Sequence, residues 1–184
     1  DTVLSGGVAD HGLPPRPEVT AQLPEPGEAA AHRRLDAFLR SAAASYDDDR
    51  NRPDLDRTSR LSAHLRFGTL HPRQVLDRLD PDDPSHTTFA SELCWRDFYA
   101  GVLAEWPESA WRSWRPDAAH VEVDTGVDAD ERFDAWASGR TGFPFVDAGM
   151  RQLLAEGFVH NRVRMVVASF LVKDLHLDWT RGAR

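Results

Sequence analysis

The segment Glu92–Tyr99, with the sequence ELCWRDFY, carries three side chains of very different chemistry within one short stretch. In a helix, Glu92 and Trp95 are three residues apart on the same face, and Arg96 lies beside them. A carboxylate, a large flat ring and a guanidinium in this arrangement could receive a ligand. A structural explanation also exists, in which Trp95 is a core residue and Glu92 forms an ordinary salt bridge with Arg96.

Two further segments place polar groups where a helix is expected to begin. The loop Thr58–Ser62 (TSRLS) offers three hydroxyls and backbone N–H groups that can hold a phosphate, and the alternative is a plain helix cap. The segment His160–Met165 (HNRVRM) opens an apolar helix with Asn161, Arg162 and Arg164. These groups indicate a ligand or a phosphate, or alternatively a solvated cap with one internal salt bridge. The histidines have no metal-ligand spacing, and no Walker or Gly-x-Gly-x-x-Gly motif occurs.

The composition is that of a soluble globular protein. The chain has 184 residues, 41% of them apolar, and a net charge of −8, which argues against sequence-independent binding to nucleic acid. No apolar run is long enough to span a membrane, and the N-terminus lacks the features of a signal peptide. The single cysteine, Cys94, excludes an internal disulfide framework. We therefore predict a cytoplasmic protein with no membrane partner.

The hydrophobic pattern predicts an all-α fold, a helical bundle preceded by an irregular stretch over residues 1–27. Helical periodicity is expected in GEAAAHRRLDAFLRSAAASY, HPRQVLDRL, SHTTFASELCWRDFYAGVLAEW, ADERFDAWASG and TGFPFVDAGMRQLLAEG. A loop is expected through Pro144, and Pro107, Gly139 and Gly157 are expected to end helices. As a helix, NRVRMVVASFLVKDLHLDW is apolar nearly all round, which predicts a position at the centre of the bundle.

Three stretches taken together match a known family. They are YDDDRNRPDLDRTSRLSAHLRFG, ELCWRDFY and GRTGFPFVDAGMRQLLAEGFVHNRVRMVVASFLVKDLHLDW. In this order they resemble the flavin-binding helical domain of the DNA photolyases and cryptochromes, most closely the class I cyclobutane pyrimidine dimer photolyases of bacteria. The resemblance implies that residues 1–27 are an interdomain linker and residues 28–184 the first part of an FAD-binding domain. An antenna domain and the remainder of the FAD-binding domain are expected outside this chain.

The resemblance implies that this domain binds FAD, folded into a U. An antenna chromophore of the folate or deazaflavin type is expected only in a separate N-terminal domain. The positions that match cofactor-binding residues are a tyrosine, the hydroxyl-rich loop and an arginine: Tyr46, Thr58, Ser59, Arg60, Leu61, Ser62 and Arg164. The loop is expected to contact the phosphates, and the acidic partner of Arg164 is expected beyond residue 184.

The resemblance also implies that UV-damaged DNA is the partner of a monomeric protein. The positions that match DNA- or lesion-facing residues are Arg50, Glu92, Trp95, Arg96, Tyr99, Asn161 and Arg162. Trp95 is expected to stack on the flipped-out dimer, and Glu92 to hydrogen-bond a pyrimidine edge. The implied activity is that of a deoxyribodipyrimidine photo-lyase. Excited reduced FAD gives an electron to the dimer, the cyclobutane ring splits, and the electron returns.

Two positions depart from the family pattern. Trp179 matches the middle one of three tryptophans that relay electrons, but no tryptophan stands near Gly126, where the outer one is expected. Trp111 or Trp114 could substitute for it. The pair Phe158–Val159 stands where the family often has Trp-Met, and we interpret this change as a packing variant.

Other functions on the same pattern stay open. A cryptochrome-like blue-light photoreceptor without repair activity would share the fold, but it needs no ring that stacks on a lesion. A (6-4) photolyase usually has a histidine-centred sequence where HNR stands here. An all-α interaction module without a cofactor would show no flavin spectrum. Glu92, Trp95 and HNRVRM favour repair.

Overall fold

The structure, a computed structural model, describes residues 19–113 and 122–183, and all regular structure in these ranges is helical. The helices are α1 (Glu28–Ser41), α2 (Tyr46–Asp49), α3 (Ser62–Phe67), α4 (Pro72–Leu76), α5 (Pro84–Glu105), α6 (Val127–Ala137), α7 (Pro144–Glu156), α8 (Asn161–Ser169) and α9 (Trp179–Gly182). The all-α prediction is confirmed. Trp114 and the first 18 residues of the predicted linker lie outside the described residues. Among the described helices, none is long and apolar enough to cross a membrane.

Local sequence chemistry sets the helix ends. Asp83 begins α5, because its carboxylate accepts hydrogen bonds from two N–H groups of the first turn. Gly157 ends α7 in the left-handed conformation, as expected. Pro144 opens α7 and does not stand in a loop before it. A proline is well tolerated there because the first turn has no use for its missing N–H.

Helices α1 to α5 enclose an N-terminal core. Its buried residues are Ala31, Leu35, Phe38, Ala42, Ala43, Tyr46, Leu61, Leu65, Leu70, Val75, Phe89 and Leu93. Within it, the rings of Phe38, Tyr46 and Phe89 meet with centroids 5.7, 4.7 and 5.0 Å apart. Aromatic pairs at such distances attract one another beyond the burial of their area. The three rings therefore hold α1, α2 and α5 together.

Helices α6 to α9 enclose a separate C-terminal core. Its buried residues are Ala129, Trp136, Val146, Met150, Val159, Val163, Val167, Phe170, Leu171 and Leu177. Gly149 lets α7 approach α8 closely, because a Cβ there would lie 2.3 Å from Cγ1 of Val163. The indole Nε1–H of Trp136 donates to the carbonyl oxygen of Val167 at 3.0 Å. This bond satisfies the polar group of the largest side chain in the core.

Helix α8 is not the central helix that the sequence predicts. Val163 and Val167 face the C-terminal core, whereas Met165 and Val166 are exposed. The regular helix ends at Ser169, and a π-helical turn follows it. The prediction was wrong because a high apolar content does not ensure that every face of a helix has a partner within the described residues.

The two cores are joined by polar contacts. Arg60, in the loop before α3, donates a hydrogen bond to Glu156 at the end of α7, with a distance of 2.5 Å. Arg162, on α8, donates two hydrogen bonds to Asn51, which follows α2, with distances of 2.9 and 2.7 Å. The loop Thr58–Ser62 and the start of α8, two of the segments singled out in the sequence, therefore lie at this junction.

Candidate functional site

Glu92 pairs with Arg50 and not with Arg96. Nη2 of Arg50 lies 2.7 Å from Oε1 of Glu92, and the two side chains are 24% and 32% exposed. Arg96 donates instead to the carboxylate of Asp97 at 2.8 Å and to the carbonyl oxygen of Leu65 at 3.3 Å. The prediction of a salt bridge between Glu92 and Arg96 within α5 is therefore wrong. A residue at the end of α2 holds the Glu92 carboxylate in a partly buried position.

Tyr46 lies next to the Arg50–Glu92 pair. Its ring is buried in the N-terminal core, and the guanidinium carbon of Arg50 is 5.8 Å from the ring centroid. Burial raises the pKa of the Tyr46 phenol above its usual range, and the Glu92 carboxylate raises it further. The hydroxyl therefore stays protonated at neutral pH and can donate a hydrogen bond.

Trp95 is not a core residue. Its ring is 54% exposed and contacts Phe98 edge-on, with centroids 5.6 Å apart, and Tyr99 in a stacked arrangement at 6.0 Å. We call Trp95, Phe98 and Tyr99 the aromatic surface. Because its rings support one another, it offers an ordered flat face on which a planar ligand or a base can stack.

Helix α8 brings cationic side chains to the same region. Nε and Nη2 of Arg162 both donate to Oδ1 of Asn51, and Asn51 directly follows Arg50 in the chain. Asn161 and Arg164 are exposed, and Arg164 has no ion-pair partner among the described residues. Asn51 was not singled out in the sequence, because a single asparagine in a polar loop gives no signal of a partner on a distant helix.

The loop Thr58–Ser62 is fixed by Arg34 of α1. Nε of Arg34 donates to the carbonyl oxygen of Ser59 at 2.8 Å, and Nη2 donates to that of Thr58 at 3.0 Å. Because the C=O and N–H of a trans peptide point in opposite directions, the next N–H groups of the loop point away from Arg34. The side chain of Leu61 is buried in the N-terminal core, so it can contact a ligand only through its backbone.

Helix α3 begins without a side-chain cap, so the plain-cap interpretation of this loop is wrong. Arg60 has a left-handed φ of 52°, and Leu61 follows in the right-handed region. The N–H of Leu61 makes only a long contact of 3.4 Å with Oγ of Ser59. Successive N–H groups in paired conformations of this kind form a concavity that binds anions. These donors, together with the exposed Ser62, fit a phosphate group.

His160 is a buried cap of α8. Its Nδ1 accepts a hydrogen bond from the N–H of Arg162 at 3.2 Å, so the neutral ring carries its proton on Nε2. This Nε2 is buried and has no hydrogen-bond partner among the described residues. His160 lines a cavity of about 340 Å³ together with Thr58, Arg60 and Glu156. The cofactor loop predicted from the sequence and the start of α8 therefore border one cavity, which retains an unused donor.

The tryptophans lie in different environments. Trp179 begins α9 and is partly exposed, and Trp111 is exposed beyond the end of α5. Trp136, which sequence analysis did not single out, is buried, and its ring edge would lie 3.1 Å from a Cβ on Gly182 of α9. The only signal for Trp136 in the sequence is its place in the helical pattern of α6, and this pattern predicts a core residue. The described residues contain no group of side chains arranged to hold a metal ion.

A loop whose N–H groups fit a phosphate and an exposed aromatic surface are features expected of a helical domain that binds a cofactor. The family model described as the FAD binding domain of DNA photolyase matches residues 89–184. The deoxyribodipyrimidine photo-lyase of Streptomyces griseus is 41% identical over 182 residues, covering 97% of this chain. A bacterial class III photolyase from Agrobacterium tumefaciens has a TM-score of 0.77 and 39% identity, covering 85% of this chain and 33% of its own. A cryptochrome from Synechocystis sp. PCC6803 has a TM-score of 0.78 and 31% identity, covering 90% of this chain and 37% of its own.

The chain belongs to the FAD-binding domain family of the DNA photolyases. The prediction of the family is therefore confirmed. The chain spans 39% of the length of the Streptomyces relative. Because a class III photolyase and a cryptochrome are among the similar structures, the class I assignment stays a prediction. The same holds for the roles of the individual site residues.

Proposed function

We propose that this chain is the first part of the FAD-binding domain of an enzyme that repairs cyclobutane pyrimidine dimers in DNA with light. Residues 1–27 are then the linker to an antenna domain, which would carry a folate or deazaflavin chromophore. The intact enzyme would act as a monomer in the cytoplasm. One observation carries the proposal: an exposed aromatic surface lies on α5 next to a partly buried, paired carboxylate.

The aromatic surface supports the stacking of a dimer that has left the DNA helix. Exposing three large rings on one helix has no benefit for folding, because burial is what stabilises such rings. A base that stacks on an aromatic ring contributes about 1–3 kcal/mol to binding. Trp95 and Tyr99 are the rings of this surface that match lesion- and DNA-facing positions of the family.

Glu92 supports the recognition of one edge of a pyrimidine. An ionised carboxylate only accepts hydrogen bonds, so its partner on a thymine must be the N3–H group. The ion pair with Arg50 fixes the orientation of the carboxylate. Because the pair is partly buried, a hydrogen bond to Glu92 would be stronger than one made in water.

The arginines around this carboxylate support contacts with DNA phosphates. Arg50 directly follows α2, Arg96 lies on α5 and Arg162 lies on α8, although the net charge of the chain is −8. Arginine binds phosphate through two parallel N–H groups, which fixes orientation as well as affinity. We assign Arg50, Arg96 and Arg162, with Asn161, to the DNA, and Arg164 to the flavin side.

The residues that would hold FAD are Tyr46, the loop Thr58–Ser62 and Arg164, with the loop N–H groups and hydroxyls on the phosphates. When bound and reduced, FAD supplies under light the electron that opens the cyclobutane ring. The chain orients the dimer and limits the access of water. Trp179 would relay electrons to resting FAD, so Trp179→Phe should slow photoreduction and leave repair by chemically reduced enzyme unchanged. An equal loss of both would make this ring structural.

The experiment uses the protein encoded by the complete reading frame, with reduced flavin and an oligonucleotide that contains one thymine dimer. We expect repair that depends on blue light. Glu92→Gln should lower the repair per absorbed photon while the flavin is retained. Glu105→Gln is the matched control, because Glu105 is an exposed carboxylate on the same helix. Retained flavin without repair of dimers would contradict the proposal and favour a photoreceptor, the second candidate.

A further inference from the structure

Arg60 has a backbone conformation that needs support from its surroundings. Its φ of 52° lies in the left-handed region, which residues with a Cβ rarely adopt. Such a conformation persists only when neighbouring contacts hold it, and it is often found where a loop meets a ligand. Arg60 is also the central residue of the loop Thr58–Ser62.

The side chain of Arg60 is held by three partners. Its Nε donates to Asp56 at 2.7 Å, its Nη1 donates to Glu156 at 2.5 Å, and its guanidinium lies 4.4 Å from the ring centroid of Phe158. Arg60 and Glu156 are 27% and 33% exposed, whereas Asp56 is mostly exposed. Glu156 is therefore the better shielded of the two carboxylates.

Glu156 is also the carboxylate that can fix the position of the loop. Asp56 lies only four residues before Arg60 and moves with the same segment. Glu156 belongs to α7, which is packed in the C-terminal core. Helix electrostatics do not explain its place, because a negative charge in the last turn opposes the helix dipole. Arg34 holds the carbonyl groups of the loop from the N-terminal core, so the loop is held from both cores.

We propose that Glu156 is a positioning residue, which acts through Arg60 to keep the loop Thr58–Ser62 in the conformation that presents its N–H groups to the cofactor phosphates. This inference rests on the proposed function of the loop. It assigns the C-terminal core a part in cofactor binding through a residue that does not itself touch the cofactor.

The experiment compares Glu156→Gln with Asp130→Asn in the protein encoded by the complete reading frame. Asp130 is the matched control, because it also forms an ion pair from a helix of the C-terminal half, with Arg181, and does not line the cavity that borders the loop. Two quantities are measured: hydrogen exchange of the loop amides without FAD, and the dissociation constant of FAD. We expect Glu156→Gln to accelerate exchange and to weaken FAD binding about fivefold each, as the loss of about 1 kcal/mol implies, and Asp130→Asn to change neither.

A double-mutant cycle separates positioning from a general loss of stability. Arg60→Gly tolerates the left-handed conformation but removes the guanidinium. If Glu156 acts through Arg60, adding Glu156→Gln to Arg60→Gly has no further effect on exchange or FAD affinity. A full effect of Glu156→Gln in the Arg60→Gly background would overturn the proposal, because Glu156 would then act through α7 itself.

Ser62→Ala distinguishes failure of this inference from failure of the loop assignment. If Ser62→Ala weakens FAD binding while Glu156→Gln leaves it unchanged, the positioning role of Glu156 is wrong and the loop assignment stands. If neither change affects FAD binding, both are wrong.

Discussion

The N-terminal and C-terminal cores are packed in different ways, and the candidate site follows the difference. The N-terminal core is built around three aromatic rings. The helices that enclose it carry site residues on their outer sides, with Arg50 at the end of α2 and Glu92 and Trp95 on α5. The C-terminal core is packed by the close approach of α7 to α8 at Gly149. Its helix α8 contributes Arg162 to the candidate site. The N-terminal half thus carries most residues of the proposed site, and the C-terminal half contacts them through Arg162 and through the bond between Arg60 and Glu156.

Helix α5 shows the same division within one element. Phe89 and Leu93 are buried in the N-terminal core, whereas Trp95, Leu103 and Trp106 are exposed. The helix therefore passes out of the core after Leu93, and the aromatic surface begins at this point. Burial in the first half fixes the direction of the second half, which lets exposed rings stay ordered.

The largest expected effect comes from Phe38→Ala in the N-terminal core. Removing a fully buried ring should lower the free energy of unfolding by about 3–5 kcal/mol. Because the buried residues form two separate hydrophobic clusters, amide exchange should accelerate more in α1 and α2 than in α7 and α8. Denaturant titration and hydrogen exchange measure both quantities. Equal acceleration in all four helices would show that the cores unfold as one unit.

Gly149→Ala tests the C-terminal core with a smaller effect. The new methyl group would lie 2.3 Å from Val163, and such overpacking costs about 1–3 kcal/mol. Gly101→Ala is the matched control, because Gly101 is in α5 and a Cβ there meets nothing within 4 Å. The control should gain about 0.5–1 kcal/mol, since alanine favours helix more than glycine does. Equal melting temperatures for the two variants would contradict the close packing of α7 on α8.

Arg162→Ala tests whether the C-terminal core contributes a phosphate contact. The loss of one such contact should weaken binding to damaged and undamaged DNA alike and reduce the salt dependence of binding by about one unit of slope. Arg33→Ala is the control, because Arg33 lies on α1 and pairs with Glu25 at the surface. An unchanged slope in Arg162→Ala would remove this residue from the interface.

The smallest effect concerns His160, which caps α8 in the C-terminal half. Burial lowers the pKa of His160, and the charge of Arg162 lowers it further. The folded state therefore favours the neutral ring, and this stability is present above the unfolded pKa of about 6.5 and is lost as the pH falls below it. His160→Asn should flatten the unfolding free energy between about pH 7 and 5. An unchanged pH dependence of the unfolding free energy in His160→Asn would mean that burial does not set the pKa of His160 in the folded protein.

The elements could be predicted from the sequence because their signals are local. Periodicity located α5, and Gly157 marked the end of α7. The exposure of α8 could not be predicted in this way. The pattern reports which residues are apolar, and not whether a neighbour covers them.

The pairings of the site could not be predicted because their partners are distant in sequence. Local spacing favoured Glu92 with Arg96, yet Glu92 pairs with Arg50, where the ion pair is better shielded. Arg162 and Asn51 are 111 residues apart. Only the packing of the cores brings such partners together. The residue types of the site were therefore predictable, and their contacts were not.

The most direct test of the central claim is a titration of Trp95→Ala in the protein encoded by the complete reading frame, paired with a melting curve. Since Trp95 is exposed, we predict an unchanged melting temperature and an affinity for dimer-containing DNA lowered by about 1–3 kcal/mol. Affinity for undamaged DNA should stay the same, and Trp111→Ala, at another exposed tryptophan, should change none of these quantities. Early melting of Trp95→Ala with normal affinity for the lesion would show that the ring is structural and would contradict the stacking role.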